Sequence, residues 1–348
     1  MMKNKSALAL TLAGLLAALA CNLGGATPQL ATAALPIVAP TAPPTEHASP
    51  ITPAVESQTP TPTLAPGQGQ AFYVAPNGED ADPGTLDQPW RTIQHAADTL
   101  GAGETVYVRA GTYSEDVVLR RSGAPGSPVT FAAYPGEQVI LDGGGTLNSA
   151  FETDFSEPDP KASDITISGF RIQNYKAFGI VAWSVNDRLT FTDLVVQHNG
   201  SEGIRLSNSD GSLIQNVLLQ NNEGGFDCTP VLPGAESDPG CTHLHIADAQ
   251  SIDNGTQGDT GTDAFAVERG ADILVERSLA TGGPGDGFDF KSDRTILSQV
   301  TAHDTRNNIK MWGKDSLLVN ALAYDAKADA SLVLVAGGSY TVLNVTIA

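Results

Sequence analysis

Acidic and basic side chains recur in the second half of this 348-residue chain, at Asp227, Asp263, Glu268, Asp286, Asp289, Lys291 and Lys310. Carboxylate oxygens are the ligands that hard divalent cations prefer. A pair of carboxylates can instead catalyse glycoside hydrolysis, and an amine can act as a base if its pKa falls below its free value of about 10.4. Charges also cover ordinary solvated surfaces. Their meaning therefore depends on the elements that position them.

A repeat of short strand-like segments runs through the same region. The large apolar residues of these segments are 24, 22, 39, 23, 21 and 23 residues apart, and they are Ile180, Ile204, Phe226, Phe265, Phe288, Ile309 and Leu332. Self-similarity at this period is typical of a solenoid, in which each unit buries its apolar face against its neighbours. Apolar residues alternate within the units, as in Ile204 and Leu206, which indicates strands.

The alternation predicts two outward rows beside the apolar stack. One step after the stacked residues come Val181, Arg205, Asp227, Ala266, Asp289, Lys310 and Val333, and three steps after come Trp183, Ser207, Thr229, Glu268, Lys291, Trp312 and Val335. In these rows the charged residues belong to the middle coils, whereas the residues of the outer coils are mostly apolar. Adjacent coils are expected to lie about 4.8 Å apart. The tryptophans suit either stacking on sugars or shielding of the strands.

Polar residues five to seven positions before most of these strands predict a ladder of stacked side chains at a tight turn: Asn174, Asn199, Asn221, Asp304 and Asp325. At the N-terminal end, Thr92 can cap a short helix whose residues Ile93, Ala96, Ala97 and Leu100 share one face. We expect this helix to cover the first coil. The fold predicted is an all-β, right-handed parallel β-helix of ~22-residue coils with an N-terminal capping helix.

The N-terminal segment has the pattern of a bacterial export signal, with Lys3 and Lys5 before an apolar run over 7–20. Leu19-Ala20-Cys21 resembles a lipobox, so we expect lipidation at Cys21, with ordinary cleavage as the alternative. Residues 22–70 are rich in Pro, Thr and Ala and predict a flexible linker. The predicted domains are thus 1–21, 22–70 and 71–348. The last ends within a strand-like run, which suggests an incomplete solenoid.

Net charge and cysteine content restrict the partners. The formal charge is −20, which disfavours nucleic acid because phosphate binding requires clustered Lys and Arg. We expect a monomer at the cell-envelope surface, contacting membrane only through a lipid anchor, or else a secreted protein. Cys228 and Cys241, thirteen residues apart in an exported chain, could form a disulfide or remain two buried thiols.

Two neighbouring segments carry a specific resemblance. Gly285-Asp286-Gly287-Phe288-Asp289-Phe290 and, one coil later, Asn307-Asn308-Ile309-Lys310-Met311-Trp312-Gly313 resemble the paired signature of family 9 pectate lyases. The N-terminal segments Phe72–Gly78, Pro89–Gln94 and Ala133–Glu137 also resemble β-helix polysaccharide lyases. The resemblance implies that Asp286 and Asp289, with Asp263 in the preceding coil, bind Ca²⁺ and that Lys310 is the catalytic base. Gly285 departs from the family, which usually has Asp there; Glu268 or Asp259 could replace that ligand.

The resemblance implies calcium-dependent cleavage of an acidic polysaccharide, a pectate-like polyuronate, by β-elimination. Lys291, Arg205 and Trp312 would contact the substrate. A cation and a second lysine near Lys310 are expected to lower its pKa, and activity to rise toward alkaline pH. Two alternatives stay open. One is a non-catalytic surface protein that binds glycans or mediates adhesion, and the other is a lyase or epimerase acting on alginate or another uronate.

Overall fold

The computed structural model describes residues 69–153, 162–230, 239–255, 262–327 and 330–348. The predicted export signal, Cys21, nearly all of the predicted linker and Asp259 lie outside these residues. Among the described residues, no helix has both the length and the apolar character needed to span a bilayer.

The described residues form one helix, α1 (Ile93–Thr99), and thirty short strands. The strands are β1 (Ala71–Val74), β2 (Thr105–Val108), β3 (Gly111–Tyr113), β4 (Val117–Leu119), β5 (Val129–Ala133), β6 (Val139–Asp142), β7 (Phe151–Thr153), β8 (Ile165–Ser168), β9 (Phe170–Gln173), β10 (Ile180–Val185), β11 (Thr190–Gln197), β12 (Glu202–Asp210), β13 (Leu213–Gln220), β14 (Gly224–Cys228), β15 (Cys241–Thr242), β16 (His245–Ala247), β17 (Gln250–Ile252), β18 (Phe265–Val267), β19 (Gly270–Ala271), β20 (Leu274–Glu276), β21 (Leu279–Thr281), β22 (Phe288–Phe290), β23 (Ile296–Ser298), β24 (Thr301–His303), β25 (Ile309–Met311), β26 (Ser316–Val319), β27 (Leu322–Tyr324), β28 (Leu332–Leu334), β29 (Tyr340–Leu343) and β30 (Thr346–Ile347).

Strands of successive coils pair in parallel and form two sheets, one of 19 strands and one of 11. The spine of the 11-stranded sheet, called the front sheet below, runs β4-β7-β10-β12-β14-β18-β22-β25-β28. Its register confirms the predicted stack, since Ile204 pairs with Phe226, Phe226 with Phe265, Phe265 with Phe288 and Phe288 with Ile309. These side chains are fully buried. The fold is therefore the predicted parallel β-helix.

Helix α1 has the predicted cap and the predicted buried face. The Thr92 hydroxyl accepts a hydrogen bond from the His95 amide, and Ile93, Ala96 and Ala97 are buried. The helix packs against β1 and β4, in the first coils.

The predicted polar ladder exists, but its residues differ from those expected. Asn222 Oδ1 accepts hydrogen bonds from the Asn199 amide (3.1 Å) and Asn199 Nδ2 (2.9 Å), and Asn254 Oδ1 accepts the equivalent pair from Asn222. The prediction was right for Asn199 and wrong for Asn174, Asn221, Asp304 and Asp325. Those four have positive φ, between 51° and 58°. They belong to a left-handed turn position, which Asn and Asp tolerate, one residue before the ladder.

The long interval of the repeat contains the two cysteines, which form a disulfide in the structure. Both are fully buried, and Cys241 begins β15, which pairs with the end of β12. The excursion therefore returns to the same coil stack.

At the other end, apolar side chains of β29 and β30 are exposed, with Leu343 and Ile347 each 53% accessible. The expectation that the sequence stops inside the solenoid stays a prediction.

Candidate functional site

The front sheet places the predicted outward row in register. Arg205 lies beside Asp227, Asp227 beside Ala266, Ala266 beside Asp289, and Asp289 beside Lys310. Because the spacing of parallel strands is about 4.8 Å, carboxylates and amines on neighbouring coils come within contact distance. The repeat alone thus concentrates the charges of distant sequence segments on one face.

Three carboxylates converge on this face. One oxygen each of Asp263, Glu268 and Asp289 lie within 4.8 Å of one another. Asp263 precedes β18, Glu268 follows it, and Asp289 is in the centre of β22. Calcium binds oxygen ligands at about 2.3–2.6 Å, so oxygens on opposite sides of one ion are up to about 5 Å apart. The spacing and chemistry of this donor set therefore fit a hard divalent cation.

Asp286 lies beside the three-carboxylate cluster, with its side chain only 2% exposed. Its Oδ1 accepts hydrogen bonds from the Asn307 amide (3.2 Å) and Asn307 Nδ2 (2.8 Å), and its Oδ2 accepts one from Lys310 Nζ (2.9 Å). Its own amide donates to Asp263 Oδ1 at 2.7 Å. In this arrangement Asp286 orients Lys310 and Asp263. Its assignment as a calcium ligand stays a prediction.

The backbone explains why glycine stands at position 285. A Cβ atom there would lie 1.8 Å from the Thr262 carbonyl oxygen, a separation that no side chain could tolerate without backbone movement. Aspartate therefore cannot occupy this position in the present geometry. Glu268, one of the two replacements considered from the sequence, lies in the cluster and can supply a carboxylate.

Lys310 is held between two buried carboxylates, with Nζ 2.9 Å from Asp286 Oδ2 and 3.1 Å from Asp289 Oδ2. Burial would lower the pKa of Lys310, but the hydrogen bond that its ammonium donates to Asp286 and the charge of Asp289 outweigh burial, and the pKa lies above its ordinary value. The lowered pKa expected from a bound cation and a second lysine stays a prediction, since these two carboxylates stabilise the ammonium form of Lys310 in the absence of the ion.

Lys291 forms its contacts with the three-carboxylate cluster. Its Nζ lies 2.5 Å from each carboxylate oxygen of Glu268 and 3.7 Å from Asp289 Oδ2. Trp312 adds a further hydrogen bond, because its indole N–H donates to Asp289 Oδ1 at 2.7 Å. The ring lies 5.0 Å from Lys310 Nζ and 5.7 Å from Lys291 Nζ, and the residue is 39% exposed. Trp312 thus positions Asp289 while keeping a surface open to a ligand.

A cavity of about 240 Å³ lies next to the cluster, over the small side chain of Ala266. Asp227, Asp263 and Glu268 line it. Burial raises the pKa of Asp227 to about 7, and burial together with the charges of Asp289 and Asp286 raises that of Asp263 to about 7. A larger groove of about 670 Å³ follows the asparagine turn, where Asn174, Asn221 and Glu223 form part of its lining. Among the described residues, its lining contains no lysine or arginine.

Arg205 is on the same row but outside the cluster. Its guanidinium contacts Glu202 at 3.3 Å and lies 5.9 Å from the centre of the Phe178 ring, which packs edge-on against Trp183. Three register steps separate Arg205 from Asp289. The sequence reasoning included Asn307 in the lyase-like signature but gave it no role. The structure shows that it donates two hydrogen bonds to Asp286.

Comparison with known proteins identifies the family. Residues 72–316 match the family model described as the Pel9A-like right-handed beta helix region, so the chain belongs to this family of right-handed parallel β-helices. It is similar to the solved pectate lyase Pel9A, with a TM-score of 0.61 and 14% sequence identity over 81% of this chain and 78% of that one. At this identity the likeness concerns the fold alone. The resemblance to family 9 pectate lyases is thereby confirmed.

Two curated relatives match parts of the chain. The uncharacterized protein YwoF of Bacillus subtilis is 34% identical over 148 residues, 42% of this chain and 31% of that protein. Pectate lyase PEL9 of Emericella nidulans is 44% identical over 74 residues, 21% of this chain and 18% of the lyase. The aligned segments thus cover less than one third of either relative. The fold and family define a polysaccharide lyase-like β-helix.

Proposed function

We propose that the chain is a calcium-dependent polysaccharide lyase that cleaves a pectate-like polyuronate by β-elimination, with Lys310 as the base. The observation that carries the proposal is the position of the Lys310 amine, held by Asp286 and Asp289 at the edge of a three-carboxylate cluster on an open sheet face. A protein that only binds glycans does not require an amine fixed in this way.

The cluster is the site for the cation. Asp263, Glu268 and Asp289 would hold it, and we propose Asp286, whose amide donates to Asp263, as a further ligand. A bound calcium ion would withdraw charge from a uronate carboxylate and make the proton on the neighbouring carbon 5 more acidic.

Lys310 has to accept that proton as a neutral amine. Asp286 and Asp289 stabilise the ammonium form, so the amine becomes available when their negative charge is balanced by another positive group or when the pH is high. This predicts activity that rises toward alkaline pH. Asn307 keeps Asp286, and Trp312 keeps Asp289, in place while Lys310 changes protonation state.

Substrate contacts follow from the same face. Lys291 and Arg205 offer positive charge to uronate carboxylates, and the exposed part of Trp312 offers an apolar ring face for a sugar. We also propose that the protein acts outside the cytoplasm, either anchored through Cys21 or secreted.

The decisive experiment measures the ultraviolet absorbance of unsaturated products with a panel of pectate, alginate and other polyuronates, in calcium and in chelator. We expect calcium-dependent product formation with a pectate-like substrate. Lys314→Ala, which removes an exposed lysine four residues beyond Lys310, is the matched control and should retain activity. Product from alginate alone would change the substrate assignment. Binding without product from any member would contradict the proposed reaction and favour the adhesive alternative.

A further inference from the structure

The ammonium of Lys291 lies where the proposed cation would need free ligands. It contacts both carboxylate oxygens of Glu268 at 2.5 Å and approaches Asp289 Oδ2 at 3.7 Å. Glu268 and Asp289 are two of the three residues whose oxygens converge within 4.8 Å. Two positive groups would therefore compete for the carboxylate oxygens of Glu268: a bound divalent ion and the ammonium of Lys291.

The net charge of the group favours binding of a divalent cation. Four carboxylates meet here, those of Asp263, Asp286, Asp289 and Glu268, with two amines, Lys291 and Lys310. Fully ionised, the group carries a charge of −2, which one divalent cation would neutralise. The remaining charge therefore favours a divalent cation, and the contacts of Lys291 with Glu268 and Asp289 place its ammonium in competition with that ion.

Exposure identifies which lysine can move. Lys310 is 19% exposed and its partners Asp286 and Asp289 are 2% and 4% exposed, so the ion pairs of Lys310 are enclosed. Lys291 and Glu268 are 30% and 33% exposed. The flexible four-carbon stem of a lysine lets its amine leave one partner by side-chain rotation alone. Of the two ion pairs, the one between Lys291 and Glu268 is open to exchange.

We propose that Lys291 is an internal counter-ion that a divalent cation displaces from Glu268, and that its released ammonium then serves a substrate carboxylate. The inference rests on the proposed function for the location of the cation. Cation loading and substrate binding are then coupled, because the substrate-binding charge of Lys291 is masked until the ion arrives.

The test is calorimetric titration of calcium into the wild type, Lys291→Met and Lys314→Met. The two variants lose the same charge, but Lys314 is an exposed residue outside the carboxylate cluster. Removing the competing ammonium should tighten calcium binding on the order of tenfold relative to Lys314→Met. Equal affinities, or weaker binding by Lys291→Met, would overturn the inference.

A double-mutant cycle separates competition from a general charge effect. Glu268→Gln should weaken calcium binding, and in that background Lys291→Met should no longer tighten it, because the contested carboxylate is gone. Persistence of the full gain in the Glu268→Gln background would contradict displacement from Glu268.

A measurement on the unmutated site covers the case in which Lys291→Met does not fold. In NMR spectra of protein with ¹³C-methylated lysines, the Lys291 signal, assigned by its absence in Lys291→Arg, should shift as calcium saturates the site. An unmoved Lys291 signal during calcium binding would refute the exchange. Lyase activity is read separately by product absorbance. If calcium displaces Lys291 but no product forms, only the proposed reaction is contradicted. If product forms but Lys291 is not displaced, only the present inference is contradicted.

Discussion

The asparagine ladder and the carboxylate cluster arise from the same coil repeat but solve opposite electrostatic problems. Asn199, Asn222 and Asn254 stack with each amide accepting from the coil before it. An amide both donates and accepts, so identical side chains satisfy one another when they are superposed. Asp263 and Asp286, at equivalent positions before β18 and β22, are acceptors only when ionised, and stacking them brings like charges together.

The difference shows where the fold provides stability and where it provides reactivity. The ladder is buried and its amides are satisfied by neighbouring coils. The carboxylates need Lys291, Lys310 or an added cation to compensate their charge, and burial raises the pKa of Asp263 to about 7. Repetition of neutral polar groups therefore supports the solenoid, whereas repetition of acids creates a site with unmet demand for positive charge.

The largest effect is expected from Lys310→Ala. If the amine is the base, turnover should fall about 10²–10⁴-fold, while substrate affinity changes little because the amine acts in the transition state. Initial rates of product absorbance with parallel calorimetry measure this. Lys310→Arg should be equally inactive, since a guanidinium does not give up its proton at workable pH.

The matched comparison is Lys291→Ala, which should raise the substrate concentration needed for half-maximal rate more than it lowers the maximal rate. If Lys291→Ala were inactive and Lys310→Ala active, the base would have been assigned to the wrong coil. The roles taken from the resemblance would then be contradicted.

A smaller effect, on stability, is expected from Asn222→Ala in the ladder. The change leaves the Asn199 amide and Asn199 Nδ2 without their acceptor inside the protein, which should cost about 2–4 kcal/mol of unfolding free energy. Chemical denaturation measures it, and the exposed Asn148→Ala is the control with an expected change below about 0.5 kcal/mol. Similar losses for both variants would show that the ladder does not carry the stability assigned to it.

The smallest effect is expected from Asp227→Asn, and its sign should depend on pH. The pKa of Asp227 is raised to about 7 in the folded protein from an ordinary 3.8, so its contribution to stability is lost as pH rises from about 4 through about 7. At pH 8 the variant should be more stable than the wild type by about 1–3 kcal/mol, and near pH 4 the two should be equal. The Thr229 hydroxyl keeps an acceptor in the amide.

Thermal unfolding at several pH values gives this result, with the exposed Asp87→Asn as control. A gain independent of pH, or one shared by Asp87→Asn, would contradict an ionised buried carboxyl as the cause.

Much of the architecture was predictable because it is periodic. The spacing of Ile204, Phe226, Phe288 and Ile309 identified the solenoid. Once these apolar residues were aligned, the alternation of side chains along each strand gave the outward rows. The ladder was mispredicted at four positions because Asn and Asp favour both the left-handed turn and the adjacent ladder position. Composition cannot separate two neighbouring sites with the same residue preference.

The sequence by itself determined the coil repeat, the capped helix at Thr92 and the candidate base Lys310, since each depends on local spacing or on a short motif. Tertiary structure alone decided that Cys228 and Cys241 pair and that Glu268 lies beside Asp263 and Asp289. It also decided the two ion pairs, Lys310 with Asp286 and Lys291 with Glu268. These outcomes depend on side-chain direction and on backbone approach between coils, as at Gly285, where the Thr262 carbonyl leaves no room for a Cβ atom. The periodicity of the sequence places each residue in the correct coil. Packing then decides which side chains, some twenty positions apart in sequence, come within a few ångströms of each other.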